Sequence, residues 1–408
     1  AAGPSVPSLP YPMRVWSLAR RISALHAVVG ALEIRDDQHA ITEGEESLGW
    51  YQSFIDYHPV SRFNQLNGLE RKTLEGGVHK FPGVRGLRPP ALIKRFDWAL
   101  LGDGLGHQRS ADPHTVWAEA NPPNLKLILD VAEKQFRRAG ADRVLVLGDS
   151  DMWLSEVFAN IPTAMSDDAN PAVNPLAVAS YKVQRFLKKG EINAVVARLH
   201  KFFGRIFYEA KDMKVDGIRT MPIGLTEFFL RNGVAESAAE AIRSARLDNK
   251  PGTIKGAFSF YHDLEHCGRG WGEGQALRQQ AKAWSKSAAA RGLGVDSNVT
   301  EANDWWGAIA KYRFIMAPNG CGVQTPKQVE ALSVLTIPIA RRGPYPVWDD
   351  LVSYGFPIVV VDEWSDITPP RLDEWWAKLS PRLASFRDNC LTTEGYWRLF
   401  TGQREFCE

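Results

Sequence analysis

Two aspartates follow directly on a short hydrophobic stretch of this 408-residue chain. Residues 143–148 have the pattern of a buried strand, and Asp149 and Asp151 open the loop behind it. A carboxylate in that place can act as a general base, and an Asp-x-Asp pair can hold a divalent cation beside a diphosphate. The same residues can instead cap the helix expected at 152–160. Asp103, in a glycine-rich run that reads as a turn, is a second candidate base.

Residues 312–340 combine a strand, a glycine loop, a helix and a second strand. Thr325 is expected to be the N-cap of a helix over 326–334, because proline follows it and glutamine stands three residues on. Gly320 and Gly322 would let the backbone approach a ligand, and N–H groups at the helix start would attract a diphosphate.

Glu330 lies about one turn into the same helix, where its carboxylate could accept hydrogen bonds from ribose hydroxyls. An ordinary strand-turn-helix unit with a solvated glutamate fits the local pattern equally well. Two histidines, His262 and His266, stand at a spacing that can hold zinc if it is helical. Glycines directly after them argue against a helix, so hydrogen bonding of His262 to phosphate or sugar is the preferred interpretation.

Composition places the chain among globular proteins. Hydrophobic residues make up 44% and charged residues 24%, which excludes a largely disordered chain. The net charge of +2 argues against an extended nucleic-acid surface. The sequence contains no apolar run that approaches the ~18 residues needed to span a bilayer. The chain begins at Ala-Ala-Gly-Pro and not at a methionine, so we expect that a leader or anchor segment can precede it.

The elements that must position these residues are clearest beyond residue 250. Strands near 253–261, 312–317, 336–340 and 357–361 alternate with helices, which predicts parallel βαβ units. A strand at 218–224 contains Pro222, which indicates an edge strand or the end of a strand. In parallel sheets ligands bind beyond the carboxyl ends of the strands, so the loops there are where chemistry is expected.

The segment around Glu330 resembles the donor-binding half of exostosin-like glycosyltransferases. Three elements match that family in order and spacing: Pro318-Asn-Gly320, Glu330-Ala-Leu332 and Ile337-Pro-Ile339. The resemblance is good over about 250–375, thin over 140–250 and absent over 1–125. It departs where the family has arginine in the loop before the helix, a stretch that reads Gln-Thr-Pro-Lys here, from 324 to 327.

The resemblance implies an α/β fold of the GT-B type, with two Rossmann-like domains facing a cleft. The expected parts are an N-terminal extension with part of the acceptor domain (1–125), the rest of the acceptor domain (126–250) and a donor domain (251–408), whose last helix can cross back. The implied reaction is inverting transfer of a sugar from a nucleotide sugar, UDP-sugar being favoured over GDP-sugar, to a glycan or glycoprotein hydroxyl. No bound metal or other cofactor is expected.

Without a metal, cations must stabilise the departing diphosphate. Arg278 and Lys327 are the candidates, with Arg269 behind them, although each also reads as a solvated surface cation. Asp149 or Asp151 is the candidate catalytic base. Two other hypotheses remain: a non-catalytic carbohydrate-binding or scaffold subunit with the same fold, and a metal-dependent transferase that uses both aspartates.

The sequence contains fewer indications of the cellular compartment and of the disulfide pairing. The resemblance and one N-glycosylation pattern, Asn298-Val299-Thr300, favour the Golgi lumen or secretory pathway over the cytoplasm. Four cysteines without C-x-x-C spacing allow three disulfide pairings or free buried thiols. The chain has 14 tryptophans, most of them expected in cores, and Trp98, Trp153 and Trp271 are the rings suggested as sugar platforms.

Overall fold

A computed structural model describes residues 60–62, 91–101, 105–136, 140, 142–148, 152–159, 161, 189–226, 234–256, 272–320 and 322–407. All of these residues belong to one unit, residues 51–408. The unit contains a six-stranded sheet, a five-stranded sheet and a two-stranded parallel pair, β1 (Val60–Arg62) with β8 (Leu225–Thr226).

The six-stranded sheet has the order β3-β2-β4-β5-β6-β7. Its strands are β2 (Trp98–Leu101), β3 (Leu105–Gln108), β4 (Thr115–Glu119), β5 (Val144–Gly148), β6 (Arg205–Tyr208) and β7 (Ile218–Thr220). All neighbours are parallel except the β2–β3 pair. Both alternatives drawn from Pro222 apply, because β7 lies at the edge of the sheet and ends at Thr220, two residues before that proline and four before the predicted end of the strand.

Five helices lie in the same part of the chain: α1 (Ala91–Lys94), α2 (Pro122–Gln135), α3 (Leu154–Ala159), α4 (Lys189–His200) and α5 (Val234–Ser244). Helix α2 begins at Pro122. Asn121 caps it by accepting a hydrogen bond from Asn124 N at 2.8 Å, and the two prolines fill the first positions, where no N–H is needed.

The five-stranded sheet is wholly parallel, in the order β10-β9-β11-β12-β13. Its strands are β9 (Gly252–Lys255), β10 (Val295–Asp296), β11 (Tyr312–Met316), β12 (Ile337–Arg341) and β13 (Val359–Val361). The predicted alternation of strand and helix is confirmed. The strand expected over 253–261 is described only to Lys255, and residues 257–271 lie outside the described chain.

Eight α-helices of the described chain accompany this sheet and its C-terminal extension. They are α6 (Gly272–Ser285), α7 (Ala288–Gly292), α8 (Trp305–Ile309), α9 (Lys327–Ser333), α10 (Val347–Ser353), α11 (Pro369–Leu379), α12 (Leu383–Asn389) and α13 (Thr393–Thr401). Short 3₁₀ turns stand at Ala302–Asp304, Trp364–Asp366 and Ser380–Arg382. No helix within the described ranges is both long and apolar enough to cross a membrane.

The C-terminal helix α13 lies on the six-stranded sheet. The ring of Phe400 meets Phe207 of β6 at a centroid distance of 5.0 Å, and Tyr396 donates a hydrogen bond to Ile223 O at 2.9 Å. Glu405 pairs with Arg205 and Arg219 on the same sheet. The last segment of the chain therefore joins the two sheets, because it leaves the five-stranded sheet and packs on the other.

Of the three pairings open to four cysteines, the described chain contains one bond, Cys390–Cys407, with Cα atoms 6.0 Å apart. The architecture as a whole is α/β with two parallel-rich sheets, compatible with a two-domain Rossmann-like fold. The domain boundaries given above stay a prediction.

Candidate functional site

The loop between β11 and α9 lies at the carboxyl edge of the five-stranded sheet and closes on itself. Asn319 donates its side-chain amide to Val323 O at 2.8 Å. A Cβ atom added at Gly320 would lie 3.0 Å from Gln324 O, so a side chain at this position would crowd the loop backbone. Gly322 is buried in the same loop. The small size of Gly320 is thus explained by packing within the loop, whether or not a ligand approaches it.

The start of α9 is capped by its own side chains. Thr325 Oγ1 accepts from Lys327 N at 3.1 Å, and Gln328 Oε1 accepts from Thr325 N at 3.3 Å. Only the Gln328 contact is that of the expected capping box, because Thr325 Oγ1 accepts from the N–H two residues on rather than three. The helix begins at Lys327, with Pro326 as its N-cap rather than Thr325. The expectation of free N–H groups here is wrong for these two amides. Positive charge for an anion must come from side chains.

One carboxylate oxygen of Glu330 accepts a hydrogen bond from another side chain, and the other accepts none from the described residues. Trp305 of α8 donates its indole N–H to Glu330 Oε2 at 2.7 Å, whereas the described residues donate no hydrogen bond to Oε1. The residue is 5% exposed. Burial raises the pKa of its carboxyl, while the charge of Lys327 and the Trp305 hydrogen bond act the other way. A buried carboxylate with an open oxygen fits a ligand that donates hydroxyl hydrogen bonds.

Lys327 and Arg278 supply positive charge beside this carboxylate. The Lys327 ammonium lies 4.7 Å from the centre of the Trp305 ring. Burial lowers the pKa of Lys327 to about 8; the Glu330 carboxylate opposes this shift and the Arg278 charge adds to it. Arg278, from α6, is 7% exposed. Lys327 therefore lies close enough to both Glu330 and Arg278 for their charges to interact, which places cationic side chains where an anionic ligand could use them.

Gln324 joins the loop to the carboxyl edge of the six-stranded sheet. Its amide Nε2 donates to Glu209 O and to Met221 O, both at 2.7 Å, and its Oε1 accepts from Ile223 N at 3.1 Å. The side chain is 2% exposed. Only a primary amide can meet two carbonyls and one N–H in this way, because a guanidinium has no acceptor. This is the loop in which the resembling family has an arginine.

A second set of contacts crosses between the same two parts of the chain. Asp350 of α10 accepts from Lys211 Nζ at 2.8 Å and from Thr220 Oγ1 at 2.5 Å. Tyr354 OH accepts from Thr220 N at 3.1 Å. Burial, together with the Asp350 charge, raises the pKa of Tyr354 to about 12, so this phenol stays protonated. The relative position of the two sheets is therefore held by buried polar contacts at two places.

The structure brings together six of the residues expected in a donor site. They are Gly320, Gly322, Thr325, Lys327, Glu330 and Arg278, all in or beside the loop after β11. Asp149, Asp151, Arg269 and His262 lie outside the described residues, as do Asp103 and His266.

Two residues of this region had no place in the sequence-based site. Trp305 fixes Glu330, and no local pattern links an indole to a carboxylate 25 positions later. Glu209 directly follows β6 and is fully buried. A Cβ atom added at Gly148, the last residue of β5, would lie 3.2 Å from Glu209 Oε2 and 2.6 Å from Met221 Sδ. Glu209 could have been predicted from the sequence by the pattern that pointed to Asp149, a carboxylate directly after an apolar strand.

Of the three tryptophan rings predicted to stack on a sugar, Trp98 does not fit that role. Trp98 is buried, donates its indole N–H to Ser110 O at 2.6 Å and packs edge-on against Phe136. It is a core residue and cannot stack on a sugar. Trp153 is half-buried and packs edge-on against Tyr345, and Trp271 lies outside the described residues.

Within the described chain, no cluster of three or more His, Cys, Asp or Glu side chains is arranged to hold a metal ion. No family model matches this sequence, and a search of curated proteins returns no match. Any functional conclusion therefore depends on the site geometry and on the motif resemblance.

Proposed function

We propose that the chain is a nucleotide-sugar-dependent glycosyltransferase of the exostosin-like, GT-B type. In this proposal the five-stranded sheet binds the donor and the six-stranded sheet carries the acceptor side. The observation that carries it is Glu330, a buried carboxylate with one oxygen fixed by Trp305 and the other open. It belongs to the Glu330-Ala-Leu332 element of the motif resemblance, and its place one turn into the helix is where a carboxylate could accept hydrogen bonds from ribose hydroxyls.

The surrounding side chains match the other parts of a nucleotide sugar. The ribose hydroxyls donate to Glu330 Oε1, while Lys327 and Arg278 face the diphosphate. Charge-assisted hydrogen bonds from two cations can offset the negative charge of a leaving diphosphate without a metal ion. UDP-sugar is the favoured donor and GDP-sugar the alternative.

The proposed reaction inverts the configuration at the sugar carbon. A base, Asp149 or Asp151, takes the proton of an acceptor hydroxyl on a glycan or glycoprotein. The hydroxyl oxygen forms a bond to the anomeric carbon from the side opposite the donor, and the bond from that carbon to the diphosphate oxygen breaks. The nucleoside diphosphate leaves with the electron pair, next to Lys327 and Arg278.

The contacts of Gln324 support a positioning role in this reaction. They tie the proposed donor loop to the residues that follow β6 and β7. Fixing donor and acceptor elements in one orientation removes orientational freedom that the transition state would otherwise lose.

One observation favours a second function, a non-catalytic subunit that binds carbohydrate. The loop in which the family has a phosphate-binding arginine contains Gln324 here, and its amide is fully used in contacts between the sheets. A metal-dependent transferase that uses Asp149 and Asp151 is the third candidate. For the compartment we propose the secretory pathway, and the Cys390–Cys407 disulfide is consistent with its oxidising environment.

Nucleotide-dependent thermal shift tests these candidates. UDP or GDP should raise the melting temperature in the presence of EDTA, and Glu330→Gln should abolish the rise, because the neutral amide is a weaker acceptor for the ribose hydroxyls. Glu374→Gln, an exposed change on α11, is the matched control and should respond like the wild type. A strict Mn²⁺ requirement would favour the third candidate, and no response to any nucleotide would exclude both transferase hypotheses.

A stabilised protein that transfers no sugar from a panel of UDP- and GDP-sugars to glycan acceptors would favour the non-catalytic subunit. Unchanged stabilisation of Glu330→Gln would show that the donor does not contact this carboxylate.

A further inference from the structure

The loop behind edge strand β10 presents an asparagine to solvent. Asn298 is exposed, and among the described residues its side chain makes no hydrogen bond. The next residue, Val299, is 54% exposed, unusually high for a large apolar side chain in this chain. Thr300 is half-buried. Asn298 and Thr300 form the Asn-x-Thr pattern that accepts N-linked oligosaccharides on surface loops of secreted proteins.

The backbone of Asn298 is held firmly while its side chain projects freely. Asp296 Oδ1 accepts from Asn298 N at 2.9 Å, and Lys255 Nζ donates to Asn298 O at 2.9 Å. Lys255 is buried and also pairs with Asp296 at 2.8 Å, and Tyr312 OH donates to Asp296 Oδ2 at 2.6 Å. These contacts anchor both backbone groups of Asn298. A group attached to the side-chain amide would therefore disrupt none of these backbone hydrogen bonds.

We propose that Asn298 is N-glycosylated. In this modification an oligosaccharide carried on a lipid diphosphate is transferred to the asparagine amide. A bond forms between Asn298 Nδ2 and the anomeric carbon of the first sugar, and the bond from that carbon to the lipid diphosphate breaks. The lipid diphosphate leaves with the electron pair, and the amide nitrogen loses one proton. The acceptor is this chain, so the proposal does not depend on the proposed transferase activity.

The position of Asn298 in the fold accommodates a bulky group. It follows β10, the outermost strand of the five-stranded sheet, and β9 separates β10 from β11. Two strand spacings amount to about 10 Å, so a glycan on Asn298 stands aside from the loop after β11. It would cover Val299 and the side of β10 that pairs with no strand among the described residues, a surface that proteins commonly protect from association. The Cys390–Cys407 disulfide belongs to the same oxidising compartments in which secreted proteins mature.

The test is expression of the full chain behind a cleavable secretion signal in a eukaryotic host. Treatment of the secreted wild type with peptide N-glycosidase should increase its gel mobility and leave an aspartate at position 298, detectable by peptide mass mapping. Thr300→Ala should abolish both signals. Thr300→Ser, which keeps the acceptor pattern, is the matched control and should retain them.

Mapping of the wild-type peptide decides the outcome even if a variant fails to fold. An unmodified Asn298 in the secreted wild type overturns the proposal. Retention of the shift by Thr300→Ala would overturn it too, since that would place the sugar elsewhere on the chain.

Discussion

The side-chain amide of Gln324 donates a hydrogen bond to Met221 O at 2.7 Å across 103 residues of sequence. The same amide donates to Glu209 O and accepts from Ile223 N, so one side chain of the loop after β11 bonds three backbone groups in the segments that follow β6 and β7. All of these contacts are buried. The loop after β11 is thereby attached to both parts of the fold.

The first prediction concerns the stability provided by Gln324. Gln324→Ala leaves two carbonyls and one N–H buried without their partner, and at ~1–3 kcal/mol for each unsatisfied group we expect a loss of about 3 kcal/mol in the free energy of unfolding. Gln324→Glu should also be destabilising, because a carboxylate has no N–H for the two carbonyls. Urea denaturation measures both.

Gln279→Ala, an exposed change on α6, is the matched control and should stay within about 0.5 kcal/mol of the wild type. If Gln324→Ala were as mild as this control, the contacts between the sheets would not contribute to stability.

A second prediction follows from the pKa of about 8 for Lys327 and rests on the proposed function. As pH rises through 8 the ammonium loses its proton and its attraction for a diphosphate, so affinity for UDP should fall above pH 8. Lys327→Met should bind UDP more weakly at pH 7 by about tenfold to a hundredfold, the equivalent of a hydrogen bond to a charged group. Isothermal titration calorimetry between pH 6.5 and 9.5 measures the affinity.

The Lys327→Met variant should lose the alkaline decline as well, whereas Lys311→Met, an exposed change before β11, should retain it. An equal decline in the Lys327→Met variant would assign the titration to another group.

The third prediction concerns Lys250, a lysine only 7% exposed. Its ammonium donates to Ala310 O, Val334 O and Thr336 Oγ1 at 2.8, 3.1 and 3.0 Å, so it caps the C-terminal ends of α8 and α9. Burial lowers its pKa to about 7. Because the unfolded chain then binds more protons between pH 7 and the ordinary lysine value, Lys250 contributes more stability as pH rises through this window.

Comparison with Lys250→Met isolates this contribution, since other titrating groups are common to both proteins. The difference in unfolding free energy should shift in favour of the wild type from pH 7 to 10, by at most about 1.4 kcal/mol per pH unit. A difference that is constant with pH would mean that the folded state keeps Lys250 charged, through the three acceptors around it.

The fourth prediction concerns the Cys390–Cys407 disulfide, whose cysteines are 17 positions apart and bracket α13. The double variant Cys390→Ser, Cys407→Ser should lower the free energy of unfolding by about 3 kcal/mol, because the unfolded chain regains the freedom of an open loop. Thermal denaturation without reductant measures the loss. Peptide mapping of the unreduced wild type should recover the two cysteines in one linked pair, and linkage of either to Cys267 or Cys321 would contradict the pairing.

Beyond residue 250, four of the five strands of the five-stranded sheet and helix α9 could be predicted from the sequence. Strands β11, β12 and β13 and helix α9 were readable because hydrophobic period, proline position and capping residues are local signals. The edge position of β7 followed from Pro222 for the same reason. Strands β2, β3 and β4 were not predicted, since each is only four or five residues long and shows no clear period.

Tertiary structure alone decided which residues meet. Gln324 reaches Glu209 across 115 residues, and Trp305 reaches Glu330 across 25. No local pattern encodes such pairs, because they depend on strand order and on the angle at which each loop leaves its sheet. The pairing of Cys390 with Cys407 and the placement of α13 on the six-stranded sheet are non-local in the same sense. The sequence indicated that Glu330 could bind a ligand. Only the packing of Trp305 against it shows which carboxylate oxygen is left without a hydrogen bond from the described residues.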